Sequence, residues 1–298
     1  MCSSDLGELF MSGSIGIAMY PRDTTEIDAL LRYADLAMYQ SKEAGRNQLT
    51  FYNQILSENA DQRMHLRKDL HLALAGSQFQ LHFQPVLDVR SGQCVGVEAL
   101  ARWLHPQHGW IPPSRFIPVA EDSGLIHPLG EWIVRNALVQ MADWIGSGVA
   151  LDFISINVSG RQIAKGGFVD LMHRLLAETG CPAGRVMLEL TESYLMHESE
   201  DAIGDLFRLR DLGLDLAIDD FGTGYSSLSY LKRLPVSRLK LDRSFVRDIP
   251  GDVNDMAIAR SVFRLSEALG LTVVAEGVET DAQQDFIRSE NCAFSQGF

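Results

Sequence analysis

From about residue 78 the chain repeats one alternation: a short apolar run, then a longer segment with apolar positions at helical spacing. The apolar runs fall at 153–157, 186–189, 214–219, 238–241, 272–276 and 293–296. Helical patterns lie beside them at 127–146, 166–179, 198–212, 226–233, 252–269 and 281–290. Runs this short and this apolar, flanked by helices, predict strands covered on both faces. Two longer strand-like segments, 79–89 and 94–103, come first and are separated by Arg90-Ser91-Gly92, a hairpin-type turn. The order predicts a parallel barrel or a doubly wound sheet.

Upstream the pattern changes. Ser14-Ile15-Gly16-Ile17-Ala18 predicts a short strand, Tyr20-Pro21 a break, and Leu30, Leu31, Ala34, Leu36, Ala37, Met38 and Tyr39 the broad apolar face of a helix. That helix is expected to stop at Ala44-Gly45-Arg46-Asn47. So few elements cannot bury a full core, so residues 1–52 are expected to be the C-terminal remnant of a domain. Residues 53–76 predict a mostly polar linking helix that closes at Gly76, and 77–298 the barrel.

Composition narrows the class without choosing the chemistry. With 46% hydrophobic and 22% charged residues the chain is an ordinary globular protein. Its apolar stretches are strand-sized and interrupted by charges, so none is expected to span or contact a membrane. The opening MCSSDLGELF lacks the basic flank and apolar core of a secretory signal, which makes the cytoplasm the expected location. Cys2, Cys94, Cys181 and Cys292 are scattered, so neither a zinc site nor a disulfide framework is expected. A formal net charge of −13 argues against binding a DNA or RNA duplex, yet permits a small phosphorylated ligand in a locally cationic or metal-bearing pocket.

The chemistry is expected at the ends of the strand-like runs, nearly every one of which closes on a residue able to bind a metal or a phosphate. In order these are Glu98, Asn157, Glu189, Asp219 with Asp220, Lys240, Glu276 and Gln296. In a β/α barrel the C-terminal strand ends meet at one mouth, so residues far apart in sequence would share a rim. Crowded acids repel one another and are costly to desolvate unless cations accompany them. All-oxygen ligands suit Mg2+ or Mn2+, and a pair of such ions is a standard arrangement for cleaving a phosphodiester. Lys240 is expected to position or deprotonate the attacking water, its charged form being disfavoured beside metals. Asp219-Asp220-Phe221-Gly222-Thr223-Gly224 then runs into Tyr225-Ser226-Ser227-Leu228, a strand end whose glycines allow a metal-bearing loop to approach closely and to move. His105 and His108 flank Pro106, which breaks any helical metal pair, and a polar turn is expected there.

These residues also stand in familiar motifs. Phe83-Gln84-Pro85, Glu98-Ala99-Leu100 with Ala101-Arg102-Trp103, Phe116-Ile117-Pro118 with Ala120-Glu121, and Ile156-Asn157-Val158-Ser159 come first. Glu189-Leu190-Thr191-Glu192, DDFGTGYSSL at 219–228, Lys240-Leu241-Asp242, Ala275-Glu276-Gly277-Val278-Glu279 and Gln296-Gly297-Phe298 follow. In order and spacing, residues 62–298 resemble the EAL domain family of cyclic di-GMP phosphodiesterases.

The resemblance implies a TIM-like (β/α) barrel with an antiparallel first strand and hydrolysis of cyclic di-GMP to linear pGpG with two Mg2+ or Mn2+ ions. It implies that Glu98, Asn157, Glu189 and Asp219 hold one ion, and Asp219, Asp220 and Glu276 the second. Lys240 and Gln296 would flank the attacking water, and Arg102, with Gln84, Leu100 and Asp242, would contact the ligand. Glu192 would steady the 219–228 loop without binding metal.

SIGIAMYP and YADLAMYQSKEAGRNQ within 13–52 resemble the end of a GGDEF diguanylate cyclase domain, but the signature of that active site is absent from the chain. No synthesis of cyclic di-GMP is therefore expected. The barrel is expected to be incomplete at its C-terminus, as part of a longer signalling protein. A homodimer through the 219–234 loop and helix, with Tyr230 and Leu231 in the interface, is a further expectation. The competing reading is a binding module that takes up cyclic di-GMP without turning it over; family members of that kind lack metal or water-positioning residues that this chain has.

Overall fold

The structure, a computed structural model, describes residues 12–45, 47–195, 200–224 and 231–297. The chain divides into two compact units at residues 71/72, inside the helix Gln54–Ala75.

In the first unit, strands β1 (Ile15–Ile17) and β2 (Leu49–Phe51) pair in parallel, with Ile15 opposite Leu49. The helix Ile27–Glu43 crosses between them, and its backbone passes so close to Gly16 that a Cβ there would sit 2.0 Å from the Ala34 carbonyl oxygen. Ala37 is fully buried, while Leu31 and Tyr39 are exposed, so the buried stripe is narrower than the sequence pattern suggests. The helix ends as expected, one residue before Ala44 and the left-handed Gly45.

The second unit is a closed barrel. Its strands are β3 (Phe79–Asp88), β4 (Cys94–His105), β6 (Phe153–Asn157), β7 (Val186–Thr191), β8 (Asp215–Phe221), β9 (Arg238–Leu241), β10 (Thr272–Glu276) and β11 (Phe294–Gln296). From β4 and β6 through to β11 successive strands pair in parallel; β3 alone runs antiparallel, to both β4 and β11, and thereby closes the ring. The ring is complete: Phe294 pairs with Asp88 and Ser295 with Leu87. An extra strand β5 (Gly109–Ile111) extends β4 outside the barrel.

Sequence periodicity misses two features here. β5 is only three residues long, and the helix Pro113–Ser123 carries Pro113 at its start and Pro118 inside it, which masks the helical signal. The turn between β4 and β5 accounts for the two histidines: His105 Nδ1 accepts from the backbone N–H groups of Gln107 (3.1 Å) and His108 (3.2 Å).

Alternation along each strand fills the barrel in layers. Val86, Phe153, Met187, Ala217 and Val274 form an apolar cluster, joined by Val95 and Phe294. Outside, the helix Ile126–Gly146 packs Leu129, Ile133, Val134, Ala137, Leu138 and Met141 inward. Side-chain caps fix where the helices start: Asp252 begins Val253–Leu269, and the Thr280/Gln283 capping box begins Asp281–Ser289. Cys94 is exposed and Cys181 and Cys292 are buried, all as free thiols; Cys2 lies outside the described residues. No described helix is long and apolar enough to cross a membrane.

Candidate active site

One polar layer sits above the apolar cluster, and Lys240 is its hub. Its Nζ lies 2.8 Å from Glu189 Oε2, 3.1 Å from Glu98 Oε2, 2.8 Å from Glu276 Oε1 and 3.1 Å from Asp219 Oδ1. These carboxylates come from β4, β7, β8 and β10, so the barrel gathers at one point the acids that the sequence spreads over 179 positions, from Glu98 to Glu276 inclusive. Glu98 and Lys240 do not stand at strand ends, as the apolar runs suggest. Glu98 is the fifth residue of a strand that continues to His105, and Lys240 points into the barrel. β4 extends past the ring to pair with β5, which apolar spacing alone does not reveal.

A second set of bonds completes the layer. Asn157 Nδ2 donates to Glu98 Oε1 (2.5 Å), and Gln296 Nε2 donates to Glu98 Oε2 (2.6 Å) and to Gln84 Oε1 (3.0 Å). Gln84 Nε2 in turn donates to the Gly297 carbonyl (3.2 Å). Gln296 Oε1 is buried and has no hydrogen-bond partner.

Asp219 and Asp220 owe their arrangement to a bulge. The β8–β9 register slips between Ile218 and Phe221, and Asp220 takes the left-handed conformation, φ 54°. Consecutive strand residues normally point to opposite faces; here the irregularity puts both carboxylates on one side. Ligand atoms of Asp219, Asp220 and Glu276 all lie within 4.8 Å of one another. Glu192, 1% exposed, accepts from the Gly222 backbone N–H at 2.8 Å and so ties the end of β7 to the loop after the aspartates. Gly222 has φ 101°, which a residue with a side chain rarely adopts.

The electrostatics follow from five acids sharing one lysine. Burial pushes the Glu189 carboxyl well above the usual range despite Lys240, and neighbouring Glu98 and Asp219 add to the rise. Burial likewise lifts Glu276 to about 7, and Asp220 rises through burial and the Asp219 charge. Burial opposes ionisation of Glu98 too, but Lys240, Gln296 and Asn157 together hold it below its usual value. Without metal, burial disfavours the Lys240 charge, yet the surrounding carboxylates raise its pKa well above the usual lysine value.

An ammonium has three hydrogens for four carboxylates. Asp219 Oδ1 is accordingly left buried without a hydrogen bond, beside Asp220 and Glu276. Three carboxylates this close, sharing a single ammonium with two further acids, form a site for a cation, and oxygen-only donors suit a hard divalent ion.

Two cavities flank this layer. One, of about 610 Å3, is lined by Gln84, Leu100 and Arg102 together with His82, Phe83 and Val278. The other, about 380 Å3, is lined mainly by apolar side chains and reaches Asn157 and Glu189. Its polar wall contains Glu121 and Ser159, whose hydroxyl donates to Glu121 Oε1 (2.5 Å). Neither residue was expected in the site, although Glu121 stands in one of the recognisable motifs and Ser159 opens a capping box with Gln162. Of the expected ligand-binding residues, Asp242 caps the turn Arg243–Phe245, its carboxylate accepting from Ser244 N–H at 2.9 Å, while its charge is felt by Asp220. Residues 225–230 of the expected dimer segment lie outside the described residues; Leu231 and Leu234 next to them are buried within the protomer, 2% and 7% exposed.

A barrel with one antiparallel strand, and an acid cluster with a cation-seeking gap at its mouth, define a class of α/β-barrel proteins built around divalent ions. The EAL domain family profile matches residues 67–298, and the chain belongs to that family. The profile "Diguanylate cyclase, GGDEF domain" matches residues 3–48.

Among curated proteins, the bifunctional diguanylate cyclase/cyclic di-GMP phosphodiesterase MucR of Pseudomonas aeruginosa is 44% identical over 98% of this chain. The cyclic di-GMP phosphodiesterase NbdA of the same organism is 41% identical over 97%. This chain spans 42% of MucR and 37% of NbdA. The solved structure of the PaMucR phosphodiesterase in complex with c-di-GMP is 44% identical, with a TM-score of 0.76 over 78% of this chain and 95% of that one. The EAL enzyme Bd1971 in its cAMP- and cyclic-di-GMP-bound form is 31% identical, with a TM-score of 0.77 over 93% and 73%.

Proposed function

We propose that this chain hydrolyses cyclic di-GMP to linear pGpG, using two Mg2+ or Mn2+ ions. The observation that carries this reading is the triad Asp219, Asp220 and Glu276, whose ligand atoms lie within 4.8 Å of one another and whose Asp219 Oδ1 is buried without a hydrogen bond. The relatives named as cyclic di-GMP phosphodiesterases support the choice of substrate.

Glu98, Asn157, Glu189 and Asp219 would hold one ion, and Asp219, Asp220 and Glu276 the other. Bound there, the ions supply charge neutralisation at the phosphodiester and a more acidic water. Arg102, in the cavity wall beside Leu100, anchors a non-bridging phosphate oxygen. Gln296 Oε1, buried and free to accept, holds a hydrogen of the attacking water. Lys240, in contact with four of these carboxylates, would fix them and position or deprotonate that water, its charged form being disfavoured once ions sit beside it. Glu276, pushed up to about 7 by burial when no ion is present, would give up its proton on taking up the second ion. Water oxygen bonds to phosphorus, the bond from phosphorus to the 3′ oxygen breaks, and the water proton ends on that 3′ oxygen. The 5′ phosphate stays in place, hence pGpG.

The location is proposed to be cytoplasmic, as for an intracellular messenger, and self-association through 219–234 is part of the same proposal. Incubating the chain with cyclic di-GMP and Mg2+ or Mn2+ should yield pGpG, and EDTA should abolish turnover. Binding of cyclic di-GMP without any product in either metal would leave a receptor in place of an enzyme.

A further inference from the structure

One layer below the metal-seeking acids stands a second cation, Arg238, with part of its guanidinium buried. Arg238 opens β9, two residues before Lys240, so strand periodicity turns both side chains into the barrel, with Arg238 one layer deeper and about 7 Å along the strand. Its guanidinium lies 4.1 Å from the ring centre of Phe153 and 4.5 Å from that of Phe294. Both rings belong to the apolar layer under the acids. The Phe153 ring can lie there because Gly96 faces it: a Cβ on Gly96 would come within 2.4 Å of the ring. Two strands thus contribute a bare glycine and an aromatic plate to seat one arginine.

Among the described residues no carboxylate forms an ion pair with this arginine. Its Nε and Nη1 are buried without a hydrogen-bond partner. Asp215, two residues before the Ala217 that pairs with Arg238 across β8 and β9, is already engaged by Arg210. A guanidinium that aromatic faces hold and no carboxylate neutralises projects its charge through low-dielectric surroundings. Burial lowers its pKa only to about 10, with Asp215 and Glu189 acting against the fall, so it stays charged at neutral pH.

Resting on the metal-dependent reading above, we propose that Arg238 is a positioning residue whose fixed charge at the barrel floor sets the affinity of the acid layer for divalent cations. Its charge shares with Lys240 the task of holding the acids together without metal. The same charge repels an incoming ion, and so keeps binding reversible.

The test uses the full chain with Arg238→Met, Arg238→Gln and Arg238→Lys, followed by Mn2+ titration and by thermal melting in EDTA and in Mn2+. With either neutral variant, the Mn2+ dissociation constant should fall about tenfold, the scale of one unit charge acting on a divalent ion about 10 Å away at an effective dielectric of about 40. The EDTA melting temperature should fall while the rise on adding Mn2+ grows. Arg238→Lys should keep the wild-type affinity within about twofold. The proposal is overturned if a folded neutral variant binds Mn2+ no more tightly than wild type. It is also overturned if Arg238→Lys shifts affinity, which would make shape the cause; this arm decides even where a neutral variant does not fold. If wild type itself shows neither Mn2+ binding nor a melting shift, the metal-dependent reading has failed, and that result is told apart by the wild-type arm alone.

Discussion

Lys240 carries a burden that few side chains do: it is 2% exposed and contacts acids from four different strands. Removing one member of a buried charge group leaves the others uncompensated, at a cost of about 3–5 kcal/mol. Lys240→Met should therefore lower the melting temperature of EDTA-treated protein, and Mn2+ should restore part of the loss. Its turnover should fall by at least about 100-fold, the usual scale for a group that positions a reacting water.

Glu276 gives a pH signature with a definite sign. Its folded pKa of about 7 lies above the ordinary 4.5, so in the metal-free state the folded protein keeps a proton that the unfolded chain has already released. Its contribution is intact below about 4.5 and is lost as pH rises through about 7, at most about 3 kcal/mol. Lys240 is raised as well, but its contribution is lost only above its ordinary 10.5, outside this window. Melting curves in EDTA should show higher stability at pH 5.5 than at pH 8, and Glu276→Gln should flatten that slope.

Among the elements, the short link between β7 and the loop after β8 has a separable role. Glu192 sits at the end of β7 and takes the Gly222 N–H, which places Asp219 and Asp220 from behind. Glu192→Gln keeps an acceptor and should fold, but it trades a charge-assisted bond for a weaker neutral one. A tenfold or larger drop in kcat is expected, on the order of one such bond lost in the transition state, with KM for cyclic di-GMP moving less. The bulge itself depends on a backbone conformation that asparagine shares with aspartate. Asp220→Asn should therefore melt like wild type in EDTA while binding Mn2+ more weakly, a pairing that a mere folding defect would not produce.

For the molecule as a whole, the division at residues 71/72 leaves the first unit with a two-stranded sheet and one crossing helix. Without a GGDEF signature in the chain, incubation with GTP and Mg2+ should give no cyclic di-GMP. The barrel unit holds the acid layer, both cavities and the aromatic seat of Arg238. Closure by β3 matters to the acid layer, because Gln296 on β11 donates both to Gln84 on β3 and to Glu98 on β4.

Much of this was readable along the chain. Short apolar runs at 153–157, 238–241 and 272–276 coincide with β6, β9 and β10, since a strand covered on both faces has almost no freedom in composition. The motif residues around the acids were legible for a similar reason: few side chains offer oxygen donors. Three things were settled only in three dimensions. The protonation of Lys240 depends on four carboxylates that come within 3.1 Å of it only when the strands close, and a local sequence window contains none but Asp242 near it. Glu121 and Ser159 meet across 38 positions. Arg238 looks like an ordinary strand start until Gly96, Phe153 and Phe294 surround it. Periodicity reports which side of an element faces inward; which charges then share that interior, and so what state each one takes, is a property of distances between strands.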